Sequence, residues 1–549
     1  MNKKILILFV LYFQIGFSNN KISETQKLFT TAKVWGFLKY YHPNVANGSK
    51  DWDEELFKIL PKVKKAQSEE AYSRVIEDWI LALGEVDAKS TNSRLKEDYF
   101  DKNFNLSWIN KDQLISKSLS KRLRFIEENR YQGILFYVDV TEAGNIFLKN
   151  EKFSDLNWSD ENYRLLTLFR YWNIIEYFFP YKYLMDNNWD KTLEDILPDF
   201  VLTKSEDDFK VAMHKLTVRL NDSHSSFYYS TSQTRGKVRK FLPVKCVIID
   251  KEMVVSEILS DTLAKLDDIR VGDVITKVNN KTIEQIITEK RDFVSASNEA
   301  SYLRNLVFEI TTGYMDSIDL EGRRNSLIFK KVIQWTDYNK SHSNELKKKK
   351  SKKYKVIDNS IGYVDMGKIY EKEVSEMMSE LNSTKAIILD MRDYPNGTNF
   401  EMAKYLNSDA KPFVKYTKPD LSYPGRFVWS EPSFCGTKNT NNYKGKIIVL
   451  VNELSQSQSE WATMCFQTAD NTIVIGSQTA GADGNTSSVN ITNKHEAPFS
   501  GIGVYYPDGK ETQRVGIIPD IIVKPTIVGI QNGKDEILER AILFINEGK

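Results

Sequence analysis

Two segments of the chain repeat each other at a constant offset of 137 residues, and this duplication restricts the fold more than any other feature. Residues 35–87 match residues 172–224 without a gap. The identical pairs include Trp35 with Trp172, Pro43 with Pro180, Trp52 with Trp189, and Pro61 with Pro198. A chance alignment would not keep two Trp pairs and two Pro pairs in phase, so the two segments form an internal repeat.

Each copy of the repeat has the pattern of a helical unit. Apolar residues recur at helical spacing in both copies, and Pro61 and Pro198 are predicted to end a helix. Ser68 and Ser205 are predicted N-caps, because acidic residues follow each of them. We therefore expect residues 19–235 to form a helical region that contains the duplication.

The two copies differ at their ends. The first ends in Glu85-Val86-Asp87, whereas the second ends in Asp222-Ser223-His224. Packing alone does not require a polar triplet just after a helix. Two interpretations remain open from this comparison, a catalytic use of His224 and a surface turn with an incidental histidine.

Composition narrows the functional classes. A chain of 549 residues corresponds to about three domains. A net charge of +2 gives no basic field for nucleic acid. The three cysteines and the absence of a His-Glu-x-x-His sequence predict no disulfide framework, no metal site and no cofactor. Five histidines leave few candidates for a base that works at neutral pH.

The first 18 residues resemble a secretory signal. Lys3 and Lys4 precede an apolar run from Ile5 to Phe17, and small residues follow. The run is short for a membrane span, which takes about 20 residues. We expect a soluble exported protein, periplasmic or extracellular, with no stable membrane span; an uncleaved anchor or a buried first helix is the alternative.

The middle segment, residues 236–340, resembles a PDZ domain in its circularly permuted bacterial form. The resemblance rests on the turn Arg270-Val271-Gly272-Asp273, which leads into an apolar strand. It implies that Phe241, Leu242 and Val244 bind peptide at a carboxylate-binding loop, although Pro243 in that loop lacks an N–H. A domain that only positions other parts is equally consistent. The Lys-rich segment 341–355 is predicted to be a solvated linker.

The last third of the chain, residues 356–549, alternates strand and helix patterns and predicts an α/β layer structure. Strand Ile447–Val451 is followed by Asn452-Glu453-Leu454-Ser455-Gln456-Ser457 and then by a helix. A serine at such a turn is suited to nucleophilic catalysis, because a helix N-terminus stabilises an oxyanion. Serines that only cap the helix give the same local pattern.

The ordered motifs of residues 220–549 resemble those of the S41 serine peptidases, the tail-specific or C-terminal processing proteases and their tricorn-like relatives. The matching segments are Asp222-Ser223-His224, Leu389-Asp390-Met391-Arg392, Asn396-Gly397, Ser455-Gln456-Ser457, Gly481-Ala482 and Gly516-Ile517. The resemblance implies a multi-domain α/β protein with a ClpP/crotonase-like peptidase core behind the helical and PDZ-like regions.

The resemblance also implies the catalytic residues. Ser457 is the expected nucleophile, and the base of a Ser–Lys dyad would fall at Ala482, so the dyad form is not expected. The tricorn-like branch uses a histidine with an adjacent serine and a distant acid, which correspond to His224 and Ser223. His495 is the alternative base.

The acid and the oxyanion donors are implied less directly. The acid position of the family falls at Gln513, so Glu511, two residues earlier, is the candidate acid, and whether either completes the set stays open. The oxyanion donors would be the N–H groups of Gln458 and Gly397.

The sequence thus predicts an exported serine endopeptidase that acts through an acyl-enzyme on unfolded or C-terminal peptide segments, in an unknown oligomeric state. The alternatives are a catalytically inactive PDZ-containing scaffold and a hydrolase of non-peptide esters or amides.

Overall fold

The computed structural model describes residues 22–88, 99–152, 158–337, 352–493 and 495–547. The predicted signal at residues 1–18, His342 and the lysine run 347–350 lie outside these ranges. None of the described helices is long and apolar enough to cross a membrane.

The two copies of the repeat fold into matching sets of helices. The first copy contains helices Glu24–Tyr41, Pro43–Ala46, Trp52–Lys65 and Glu69–Ala82. The second contains Glu161–Phe178, a 3-10 turn at Lys182–Leu184, Trp189–Val201 and Glu206–Val218. In each copy the two Trp side chains donate a hydrogen bond to each other's carbonyl oxygen, Trp35 with Trp52 and Trp172 with Trp189.

Ion pairs join the copies reciprocally. Lys33 of the first copy contacts Asp190 of the second at 2.6 Å, and Arg170 of the second contacts Asp53 of the first. These four residues occupy equivalent positions at the offset of 137. The copies therefore face each other in a pseudo-twofold arrangement, in which each presents the same surface to the other.

The prediction that Pro61 and Pro198 end helices is wrong. Both lie inside helices, which continue to Lys65 and Val201. A proline removes only its own intrahelical hydrogen bond. Residues on either side, such as Leu60 and Val63, are completely buried, so packing carries the helix past the proline.

The segment between the copies joins the helical region to the last third of the chain. Its elements are Tyr99–Phe100, Trp108–Lys111, Lys117–Glu128, Val138–Val140 and Ile146–Leu148. Strand Tyr99–Phe100 pairs with Phe427–Trp429, and Asn145 Nδ2 donates to the Thr486 carbonyl at 2.9 Å.

The middle domain is a mixture of sheet and short helices. Its main sheet has the spatial order Leu327–Gln334, Ser317–Arg324, Val274–Val278, Glu252–Ile258 and Val244–Ile249, with Lys281–Thr282 paired beside Val274–Val278. A smaller three-stranded sheet consists of Thr336–Asp337, Lys240–Phe241 and Thr312–Gly313. The helices are Asp261–Leu266, Ile283–Glu289, the 3-10 turn Arg291–Phe293 and Glu299–Thr311.

The structure corrects the expected carboxylate-binding loop of this domain. Phe241, Leu242 and Val244 are buried, and the last two belong to the domain's own core. The Leu242 N–H already donates to the Thr311 carbonyl at 2.8 Å, and Pro243 has none. The Leu242 N–H and the three buried side chains are therefore used within the domain itself, which disfavours this loop as a carboxylate-binding site.

The last third is an α/β layer structure. Its main sheet has the order Tyr354–Ile357, Ile361–Asp365, Ala386–Asp390, Lys446–Val451, Thr472–Gly476 and Ile521–Ile522, and all pairs after the first are parallel. Helix Glu536–Glu547 covers one face. The other face is covered by Val374–Leu381, after a 3-10 turn at Glu371–Glu373, by Asn399–Leu406 and by Gln458–Phe466.

The remaining strands position the site. A second sheet contains Lys411–Pro419, Phe427–Trp429, Ser433–Cys435 and Gly503–Tyr505. A hairpin of Thr486–Thr492 and His495–Ser500 packs into the core of the helical region through residues such as Val489 and Phe499. Helix Ile527–Gln531 follows the main sheet. The predicted fold class, helical repeat region plus small β domain plus α/β core, is confirmed.

Candidate active site

The loop between strand Lys446–Val451 and helix Gln458–Phe466 holds Ser457 in an uncommon backbone conformation. Ser457 has φ 56° and ψ −118°, a region that side-chain-bearing residues rarely adopt. Such strain persists only where the surroundings enforce it, and it clusters at functional sites. Here the Ser457 N–H donates to the Ala482 carbonyl at 2.9 Å and to Glu460 Oε2 at 3.2 Å, while Ser455 Oγ donates to the Met391 carbonyl.

Glu460 anchors this loop from beneath. It is buried, and its carboxyl group accepts hydrogen bonds from the N–H groups of Gly481 and Ala482 and from Thr479 Oγ1. Burial raises the pKa of Glu460 to about 7, against the lowering effect of these donors. The loop that carries Ser457 and the loop that carries Ala482 are thus held together through one buried side chain.

Ser457 opens into a cleft of about 770 Å³ at the carboxyl edge of the main sheet. This edge is where parallel α/β sheets generally bind ligands. The cleft is lined by His224, Arg304, Tyr394, Tyr416, Leu454, Gln456, Ser457, Gln458, Trp461, Asp483, Gly484, Asn485 and Thr486. His224 reaches it from the helical region and Arg304 from the middle domain, so all three parts of the chain contribute.

A hydrogen-bonded chain fixes His224. Its Nδ1 lies 2.9 Å from Ser500 Oγ, and Ser500 Oγ donates to Asp222 Oδ1 at 3.0 Å. Asp222 is fully buried and also accepts from the N–H groups of His224 and Ser500 and from Gln513 Nε2. Because the single Ser500 proton points to the carboxylate, Ser500 Oγ must accept from His224, so Nδ1 carries the ring proton and Nε2 is the free base.

Burial lowers the pKa of His224 below its usual value of 6.5. The charge of Asp222 raises it and that of Arg304 lowers it further, but burial is the largest cause. The imidazole is therefore neutral at neutral pH, which is the protonation state that a general base requires.

Comparison with known proteins identifies two domains. Residues 360–523 match the sequence model of peptidase family S41, and residues 231–299 match that of the PDZ domain. The chain is a serine-type peptidase that contains an S41 peptidase domain and a PDZ domain.

Solved structures align with most of the chain, and mature CPAF shares its fold. Mature CPAF in complex with lactacystin aligns with a TM-score of 0.56 at 12% sequence identity, over 71% of this chain and 99% of that one. The photosystem II D1 C-terminal processing protease aligns with a TM-score of 0.40 at 14% identity, over 68% of this chain and 98% of that one. No curated protein sequence matches the chain.

The side chains of two residues predicted to orient His224 make other contacts. Ser223 Oγ accepts from the Ser297 N–H at 2.9 Å and the Ser297 hydroxyl accepts from the Ser223 N–H at 2.7 Å, so Ser223 joins the helical region to the PDZ domain. Glu511 pairs with the exposed Lys102 at 3.4 Å. The adjacent-serine and distant-acid arrangement is reversed, since the acid, Asp222, is adjacent and the serine, Ser500, is distant.

Sequence reasoning assigned no role to Asp222 or Ser500. The motif Asp222-Ser223-His224 did contain the signal for the acid, because a carboxylate two residues from a histidine can bond its backbone N–H. No local signal marks Ser500. Its place follows from the register of the hairpin, whose last residue meets Asp222.

The two predicted oxyanion donors have different positions. Gln458 lines the cleft and begins the helix after Ser457. Gly397, with φ 72°, lies in the turn after Asp390 and is outside the cleft lining. The turn is anchored by Asn396, whose side chain donates to the carbonyls of Gly367 and Ile369.

The other described histidines have structural contacts. His42 is fully buried and accepts from the Asn44 N–H as a helix cap. His214 Nε2 lies 2.8 Å from the Phe293 carbonyl oxygen. His495 contacts Thr492 and lines a separate cavity of about 540 Å³. Among the histidines that the structure describes, His224 is the one that lines the cleft with Ser457.

Proposed function

We propose that this peptidase cleaves peptide bonds through an acyl-enzyme, with Ser457 as the nucleophile and His224 as the general base. The observation that carries the proposal is that a serine in a strained left-handed conformation at a helix N-terminus shares one cleft with a neutral histidine from another domain. Acyl-transfer chemistry uses a nucleophile and a base that face the same cleft.

In the first step Ser457 Oγ bonds to the substrate carbonyl carbon, and its proton moves to His224 Nε2. The imidazolium that forms keeps its Nδ1 proton on Ser500 Oγ, which in turn donates to Asp222. The buried carboxylate therefore stabilises the positive charge through one hydroxyl group, and the hydrogen-bonded chain holds the ring in its productive tautomer.

The carbonyl oxygen becomes negative in the tetrahedral intermediate. The N–H of Gln458 is a donor at the start of helix Gln458–Phe466, where the helix dipole also favours negative charge. A turn N–H at Gly397 would be the second donor once substrate closes the site. Collapse of the intermediate breaks the C–N bond, and His224 gives the proton to the leaving amine. Water then attacks the acyl-enzyme by the same route in reverse.

The substrates we propose are unfolded or C-terminal segments of proteins outside the cytoplasm. The signal-like residues 1–18 support export. The PDZ domain supports peptide recognition in general, whereas the loop at 241–244 is disfavoured because its Leu242 N–H already donates to the Thr311 carbonyl.

A fluorophosphonate probe, which labels activated serines, tests the nucleophile. We expect stoichiometric labelling of the wild-type chain at Ser457 and none in Ser457→Ala. The matched control is Ser459→Ala, because the Ser459 hydroxyl is buried two residues away and accepts or donates no hydrogen bond within the described part of the chain. Labelling that persists in Ser457→Ala, together with full peptide hydrolysis, would show that the nucleophile lies elsewhere.

A further inference from the structure

One acidic side chain of the cleft has no place in the catalytic chain. Asp483 lines the cleft with Ser457 but is only 3% exposed. Its Oδ1 accepts from the Gly484 N–H at 2.7 Å, whereas its Oδ2 has no hydrogen-bond partner among the described residues. A buried carboxyl oxygen without a hydrogen-bond partner costs folding free energy, and a bound ligand that donates to it would offset this cost.

Asp483 lies next to the reacting serine. The residue before it, Ala482, accepts the hydrogen bond of the Ser457 N–H through its carbonyl. A substrate whose carbonyl carbon sits on Ser457 therefore has its neighbouring side chain within reach of this loop.

Two aromatic side chains, Trp461 and Tyr416, line the same cleft and form an aromatic wall. Trp461 lies one helical turn after Ser457, and its indole N–H donates to the Tyr416 hydroxyl at 2.8 Å. Phe400 and Phe413 pack edge-on against Trp461, with ring centroids at 5.3 and 5.1 Å. The wall is therefore rigid, apolar and rich in ring faces that attract cations.

Among the described residues, no cationic side chain forms an ion pair with Asp483. Burial, and after it the charge of the nearby Glu460, raise the pKa of Asp483 well above its usual range. Arg304, the cation that lines the cleft, donates instead to the Glu453 carbonyl at 2.9 Å and to Gln456 Oε1 at 2.7 Å. A positive group brought by a substrate would meet an uncompensated acid.

We propose that Asp483 is the floor of the subsite for the residue that precedes the cleaved bond, and that it selects lysine or arginine there. The proposal rests on Ser457 as the nucleophile. The aliphatic stem of such a residue packs along Trp461 and Tyr416, and its cationic end forms a charge-assisted hydrogen bond with the Asp483 carboxylate. When the cation binds, Asp483 releases its proton to solvent.

The wild-type enzyme gives the first test. Matched peptides that differ only at the residue before the cleaved bond carry lysine, arginine, norleucine or glutamate. We expect kcat/KM to be at least about 100-fold higher for lysine and arginine than for norleucine, because the acid is left unpaired with a neutral side chain. Equal or better cleavage after norleucine overturns the proposal while leaving Ser457 intact as the nucleophile.

The variant Asp483→Asn gives the second test, since asparagine has the same shape without the charge. We expect the preference for lysine over norleucine to fall about 100-fold, while fluorophosphonate labelling of Ser457 stays at the wild-type rate. Asp409→Asn, at an exposed acid of the same domain, is the matched control. An unchanged preference in Asp483→Asn overturns the proposed subsite. If the wild-type chain shows neither fluorophosphonate labelling of Ser457 nor peptide hydrolysis, both the nucleophile and the subsite are overturned.

Discussion

The two copies of the repeat have the same scaffold and different ends. Each has the paired tryptophans and the serine N-cap, Ser68 in one copy and Ser205 in the other. Each also leaves its last helix through a residue with positive φ, Gly84 in the first copy and its equivalent Asn221 in the second. After this point the first copy runs into solvent, whereas the second is buried against the peptidase core.

The difference shows which copy of the repeat contributes a side chain to the cleft. Both copies are needed for the scaffold, because their ion pairs are reciprocal. Only the second copy supplies His224 to the cleft, together with the buried Asp222 behind it, and the first copy packs against the second and helps to hold it in place. A side chain that follows directly on packed helices is positioned more accurately than one on a free loop.

Exchange of the residues at the equivalent positions gives the largest expected effect. The first copy has Asp87 where the second has His224. His224→Asp removes the base that we propose, and we expect kcat/KM for peptides to fall about 10³- to 10⁴-fold. The mirrored variant Asp87→His, at an exposed position, should leave kcat/KM unchanged. Activity in His224→Asp above a tenth of the wild-type value would exclude His224 as the base.

The two serines near His224 give the next effect. Ser500→Ala removes the acceptor of the Nδ1 proton, so the productive tautomer is no longer enforced, and we expect kcat to fall about 10- to 100-fold. Ser223→Ala loses the hydrogen bond from the Ser297 N–H and the long one to the Ala480 carbonyl, and should change kcat by less than about twofold. Ser500→Thr keeps a hydroxyl group and should retain most of the wild-type rate. A larger loss of kcat in Ser223→Ala than in Ser500→Ala would show that Ser223, not Ser500, orients His224.

The parts of the fold and site that could be predicted from the sequence are those that depend on residues close together in the chain. The repeat, the α/β core and the Ser457 loop depend on local patterns, and the sequence predicted their location. Asp222 was visible as part of a motif but had no partner, because its partners Ser500 and Gln513 lie almost 300 residues away. The prediction that a helix ends at Pro61 is wrong because burial of the neighbouring residues, rather than local propensity, stabilises that helix.

The reciprocal ion pairs give the smallest effect and separate scaffold from chemistry. The Arg170–Asp53 pair is nearly buried, with side chains 8% and 16% exposed, while Asp190 of the equivalent pair is 43% exposed. Asp53→Asn leaves Glu151, at 3.2 Å, as the remaining carboxylate partner of the buried Arg170, and we expect it to lower the free energy of unfolding by about 2 kcal/mol. Asp190→Asn should cost less than about 1 kcal/mol, because solvent screens that pair. Denaturant unfolding followed by tryptophan fluorescence measures both, and kcat should be unchanged in each while the chain is folded. If the two variants lose equal stability, the halves contribute symmetrically, and if either one lowers kcat, the scaffold also sets the geometry of the cleft.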